Sequence, residues 1–159
     1  MLPSETMIWQ PEFTDKTLSR KPGAVHPELN QDFRLLTSIK SVGYLLGLNM
    51  LAILKSHSFE SAKQAAAFLG VVPVERRSGT SVKGKPKLSK IGPPEIRTKL
   101  YLAALCGLRF NPVMKQMYTK LCQRGKSKMC AIGALMRKLV HWCYGVLKTQ
   151  LPFDAEYNQ

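Results

Sequence analysis

KMCAIGALMRKLVHWCYGVLKTQ, residues 128–150, places Met129, Ile132, Leu135, Leu139, Trp142 and Val146 at steps of three or four. That spacing lays one apolar stripe along a helix of about 3.6 residues per turn. Ser127 can cap its start, and Pro152 terminates it. Upstream the same punctuation repeats. Gly125 closes a helix predicted over 113–123, and Asn111-Pro112 closes EIRTKLYLAALCGLRF. Pro93-Pro94 opens that segment, at a position where proline's missing N–H costs little.

Further back, FESAKQAAAFL reads as a helix with Ser58 as its N-cap and Gly70 as its left-handed stop. YLLGLNMLAILK (44–55) is an apolar helix. Phe33, Leu36 and Ile39 are spaced for a short helix before it, and Lys40-Ser41-Val42-Gly43 makes a tight turn between the two. Residues 1–28 carry Pro3, Pro11, Pro22 and Pro27 with little periodicity and read as an extended arm; 29–157 is the expected domain. The fold class is mainly α: a helix-hairpin-helix-like start, a basic glycine-containing loop, then three helices including a long C-terminal one.

Charge narrows the partner. There are 24 Lys and Arg against 10 Asp and Glu, a net +14, which calls for a polyanion. No carboxylate stands between Glu95 and Asp154, while ten basic residues from Lys99 to Lys148 do. No apolar run approaches the ~20 residues of a membrane span. The N-terminus has no charged region followed by an apolar core, so a cytoplasmic protein with no membrane partner is expected. A basic amphipathic C-terminal helix could instead meet acidic proteins or membranes, but its stripe and Trp142 read as core. Cys106, Cys122, Cys130 and Cys143 include no CxxC pair, so no zinc site is expected and the thiols read as helical core. His26, His57 and His141 stand apart with no nearby carboxylate.

Gly70 to Arg97, GVVPVERRSGTSVKGKPKLSKIGPPEIR, holds the candidate chemistry. Eight basic side chains fall between Gly70 and Lys99, and Ser78-Gly79 follows Arg76 and Arg77 directly. A hydroxyl among guanidinium groups suits attack on a phosphodiester, because those groups offset charge developing on the non-bridging oxygens. It equally suits an ordinary surface loop. A serine hydroxyl needs a base or metal to activate it, and no acidic cluster accompanies this one. The alternation in Val82, Lys83, Lys85, Lys87 and Leu88 allows a small hairpin. At the first turn, Leu36 to Gly43, two readings also stand. A helix-hairpin-helix would expose backbone N–H groups near Gly43 to one phosphate, whereas an ordinary αα-hairpin would hold a glycine there without a ligand.

The runs SFESAKQAAAFLGVVPVERRSG, KLSKIGPPEIRTKL and NPVMKQMYTKLCQRGKSKMCAIGALMRKLV resemble, in order, the C-terminal domain of insertion-sequence transposases related to the Piv DNA invertase. These are bridge-RNA-guided recombinases with an additional DEDD domain, and the similarity spans about 35–157. The resemblance implies that Ser78, followed by Gly79, is the serine that becomes joined to DNA. It makes Arg76, Arg77, Lys90 and Arg97 candidates for holding a DNA or structured guide-RNA backbone, beside Gly79, Lys83, Lys85 and Lys87 of the same loop and Gly43 of the first turn as further nucleic-acid-binding candidates. It implies assembly with further protomers or a partner domain. Four carboxylates binding Mg²⁺ would come from a separate RuvC-like domain, which this sequence does not contain, so no cofactor is expected on this chain itself. Pro93 stands where the family usually has asparagine, and Lys40-Ser41 where it has proline-glycine. The alternative expectation is a non-catalytic basic helical nucleic-acid-binding module or a decayed transposase remnant.

Overall fold

A computed structural model describes residues 27–74, 77–78, 82–83 and 87–155. The expected arm over 1–28 lies outside the described residues except for its last two positions, which open the first helix. Among the described residues, six helices and four two-residue strands follow in the order α1 (Pro27–Thr37), α2 (Tyr44–Ser56), α3 (Ala62–Phe68), β1 (Pro73–Val74), β2 (Arg77–Ser78), β3 (Val82–Lys83), β4 (Lys87–Leu88), α4 (Pro94–Phe110), α5 (Pro112–Gln123) and α6 (Lys128–Thr149). The expected mainly α class holds. α1 starts at Pro27, two residues before the expected boundary, because proline is compatible with a helix's first turn.

α6 is the axis on which α1, α3, α4 and α5 pack, while α2 lies against α1 and α4. Ile132, Leu135, Leu139, Trp142 and Val146 are all buried, together with Met136, Val140 and Cys143. Leu36, Met50, Leu69, Leu100 and Met114, one from each surrounding segment, are fully enclosed in the same core. Deleting such a side chain removes its transfer energy and leaves a cavity, about 2–5 kcal/mol for Leu to Ala. Met129 departs from the expected stripe. It is 66 % exposed, because the first turn of α6 runs past the core. The thiols depart as well: Cys143 alone is buried, while Cys106 and Cys130 are exposed on the outer helix faces. Burial pushes the Cys143 thiol up to about 12, so it stays an inert core group.

Local capping sets the helix ends. Asn111 closes α4 and caps α5, its Oδ1 accepting from the N–H groups of Val113 and Met114 at 3.1 and 3.4 Å. Ser127 caps α6 through the Cys130 N–H. α3 is capped by Ser61, not Ser58: Ser61 Oγ accepts the Gln64 N–H, and the Gln64 side chain reaches back to accept from the Glu60 N–H at 2.9 Å. The residues around Ser58 are held elsewhere, where Tyr144 Oη donates to the Phe59 carbonyl at 3.1 Å.

The α1–α2 turn is built into the core. Ile39, Ser41 and Val42 are buried there, and Ser41 Oγ lies 3.5 Å from the Met114 sulfur. Ser38 Oγ accepts the Phe153 N–H at 2.8 Å, while Phe153 packs on Trp142, so the tail after α6 is pinned to this turn. Asp32 of α1 joins the same assembly. It pairs with Lys55 of α2 at 2.7 Å and accepts from Gln150 Nε2, at the end of α6, at 2.8 Å. Burial alone would raise this carboxyl, but the hydrogen bonds from Lys55 and Gln150 and the Lys55 charge bring it below its ordinary 3.8. A depressed carboxylate stabilises above its unfolded value, and that stability is lost as pH falls through the folded value. Urea midpoints near pH 7 and near pH 3 are expected to diverge more for wild type than for Asp32→Asn, which at neutral pH loses about 1–2 kcal/mol.

Candidate nucleic-acid interface

The basic loop is a hairpin standing on a neck of two glycines. α3 ends with the Val71 N–H bonded to Ala66 O and the Gly70 N–H to Ala67 O, the pattern that requires a left-handed residue, and Gly70 takes φ +68°. The chain leaves through β1 and returns through β4, with Pro73 opposite Leu88 and Val74 opposite Lys87. The Ser89 N–H then donates to Val72 O at 2.9 Å and the Lys90 N–H to Gly70 O at 3.2 Å. Gly92, at φ +101°, completes the neck. A Cβ on Gly70 would fall 2.1 Å from the Ile91 carbonyl oxygen, and one on Gly92 2.0 Å from that of Phe68. Only glycine lets these two backbones approach so closely.

Beyond β1 and β4 a second antiparallel ladder pairs Arg77 with Lys83 and Ser78 with Val82. Two residues separate the ladders on the outgoing side and three on the return (Gly84, Lys85, Pro86), so the register slips by one. Among the described residues Ser78, opposite Val82, is the last paired position on the outgoing side. The small hairpin read from the alternation is therefore present. Arg76, Gly79 and Lys85 lie outside the described residues.

Lys87, Lys90 and Arg97 come together at the hairpin's base, where a groove opens between β4, α4 and α6. Its parts measure about 570 Å³ and about 340 Å³, and both are lined by Leu88, Lys90, Met129 and Gly133. Arg137 joins the basic rim, and no lining residue is acidic. Ser127 also lines it, so the positive end of the α6 dipole adds to the cationic field. Lys90 reaches this rim from a left-handed backbone, φ +57°, which a non-glycine residue adopts at a cost of about 1 kcal/mol. Arg97 has a second role. Its Nη1 donates to Gly92 O at 2.7 Å, bracing the neck. Gly43 is not part of this groove. It is the N-cap of α2 at φ −84°, and a Cβ there would meet nothing within 4 Å, so the turn's shape does not require glycine.

Sequence reasoning missed Arg137, Met129, Gly133 and Gly92. The visible signals were a glycine inside an apolar helix and another before Pro93-Pro94. Among the described residues no three His, Cys, Asp or Glu side chains converge as metal ligands. His141 is half-buried and titrates below its ordinary 6.5, through burial first and then through Arg137, Lys138 and Lys63. No described helix is long and apolar enough to cross a membrane.

A helical domain carrying a basic hairpin and an acid-free groove presents the electrostatic footprint expected of a surface for polyanions. Comparison with known proteins makes this specific: the family described as "Transposase IS116/IS110/IS902 family" matches residues 33–119, from α1 through the hairpin into α5. The chain belongs to that family. It is 32 % identical over 135 residues to the pilin gene-inverting protein of Moraxella bovis, covering 84 % of this chain and 42 % of that one. The corresponding Moraxella lacunata protein is 30 % identical over the same shares. An insertion element IS110 protein of Streptomyces coelicolor is 25 % identical over 115 residues, 72 % of this chain and 28 % of its own length. The chain thus spans less than half the length of these relatives.

Proposed function

We propose that this chain is the nucleic-acid-binding recombinase domain of an insertion-sequence transposase and presents Ser78 to a DNA phosphodiester. The observation that carries the reading is the position of Ser78. It is the last paired residue, among those described, of a hairpin locked by Gly70 and Gly92 to an acid-free basic groove, within a family-matched segment. In the proposed step Ser78 Oγ forms a bond to phosphorus as the ester bond to one sugar oxygen breaks. The hydroxyl proton passes to a base and the leaving oxygen takes up a proton. Arg76 and Arg77 offset the charge on the non-bridging oxygens. We place the base on another part of the active assembly, in line with the partner domain that the resemblance implies. Lys83, Lys85, Lys87 and Lys90 hold the backbone of DNA or a structured guide RNA, and the first turn of α2 at Gly43 takes a further phosphate.

The test supplies the four-carboxylate domain and looks for a protein–DNA adduct on a denaturing gel. Ser78→Ala should abolish the adduct while leaving DNA affinity within about twofold, since one hydroxyl adds no phosphate neutralisation. An adduct that survives Ser78→Ala overturns the nucleophile. If wild type binds DNA with steep salt dependence yet forms no adduct, the chain is a non-catalytic binding module.

A further inference from the structure

We propose that the groove between β4, α4 and α6 receives an unpaired nucleobase of a single-stranded segment, with the flanking phosphates on Lys87, Lys90 and Arg137. This rests on the reading of the chain as a nucleic-acid-binding domain and adds to it a strand state and a subsite.

The two parts of the groove share Leu88, Lys90, Met129 and Gly133, so they form one trough in the size range of small-ligand pockets. Its walls differ in kind. The rim is cationic and carries no acid. The floor is apolar: Met129 is 66 % exposed at the one place where the α6 stripe leaves the core, beside Leu88, Ile132 and Tyr101. A duplex meets a protein through phosphates and groove edges, and a basic surface alone would serve it. A single strand offers phosphates and bare base faces together, and its bases are held by stacking on aromatic and apolar side chains. A cationic rim over an apolar floor complements that occupant on both counts. At Gly133 a Cβ would meet the Leu88 methyls in ordinary contact at 3.6 Å, so a methyl can be added to the floor without displacing the backbone. The trough is also continuous with the hairpin, because β4 supplies Lys87 and Leu88 to its wall.

The experiment uses the full chain and three probes: a short single-stranded DNA with one central 2-aminopurine, the same strand with an abasic site there, and the duplex. The base-bearing strand should bind about tenfold tighter than the abasic one, and its fluorescence should change on binding. Gly133→Ala narrows the floor at a helical position where alanine is favoured, and Met129→Glu places a charge on an already exposed residue. Both should bring the ratio close to one with circular dichroism unchanged, and Gly133→Ala should leave the salt dependence intact. Equal binding of the two strands by wild type, or a ratio that survives both variants, overturns the proposal. So does an acidic amphipathic peptide that binds the trough in preference to the strand. Retained salt-sensitive binding in those cases leaves the wider reading standing. Failure to bind any strand or duplex removes both.

Discussion

Gly70→Ala and Gly92→Ala should each cost about 3 kcal/mol or more, the largest single-residue losses expected outside the core. Two penalties add. Each position has positive φ, where an L side chain costs about 1–2 kcal/mol. Each new Cβ would also sit about 2 Å from a backbone carbonyl oxygen, of Ile91 or of Phe68. Neither oxygen can rotate away as a side chain would, so the neck must part, adding an overpacking cost of about 1–3 kcal/mol. Parting it removes the Ser89–Val72 and Lys90–Gly70 hydrogen bonds and the Arg97 brace on Gly92. Gly125→Ala is the internal control. It has φ +76° but nothing within 4 Å of its Cβ, so it should cost only the strain, about 1 kcal/mol. Urea denaturation of the three variants reads this directly. The Gly70/Gly92 double variant should lose less than the sum, because one opening relieves both clashes.

The same neck shows where sequence reading reaches its limit. The helices were legible because their signals are local: stripe spacing in α6, Ser127 before it, Gly70 and Gly125 after α3 and α5. The Ser61–Gln64 capping pattern is equally local and was readable, but Ser58 competed with it, and the choice depends on Phe59 being held by Tyr144 across 85 residues. Met129 and three of the four thiols misled for a different reason. Period alone fixes which face a residue occupies and leaves open how far along the helix the partners extend. The hairpin was hinted at by alternation, yet its seating depends on Gly70 meeting Ile91 and Gly92 meeting Phe68, contacts between distant segments. Of the candidate site, Lys87, Lys90 and Arg97 were legible as charges. That Arg97 braces the neck, and that Arg137 supplies the missing rim, follows from packing alone.

That division of labour separates two kinds of basic residue in one salt titration. If Lys87, Lys90 and Arg137 each neutralise one single-strand phosphate, the rim alone contributes a slope of about −2.1 to log affinity against log salt. Affinity should then fall about eighteenfold between about 50 and 200 mM salt. Lys87→Ala with Arg137→Ala should flatten the slope by about 1.4. Lys90→Gly is the sharper variant: it deletes a charge while relieving the left-handed backbone at φ +57°, so binding weakens as folding stability rises. Arg97→Lys should do the reverse. Its guanidinium holds the Gly92 carbonyl at 2.7 Å, a bond that a lysine on the same helix turn reproduces poorly, while the positive charge remains. The urea midpoint should therefore drop with the salt slope unchanged. A slope that fell with Arg97→Lys and stayed constant with Lys90→Gly would reverse the two assignments and move the phosphate contacts from the groove rim to the neck.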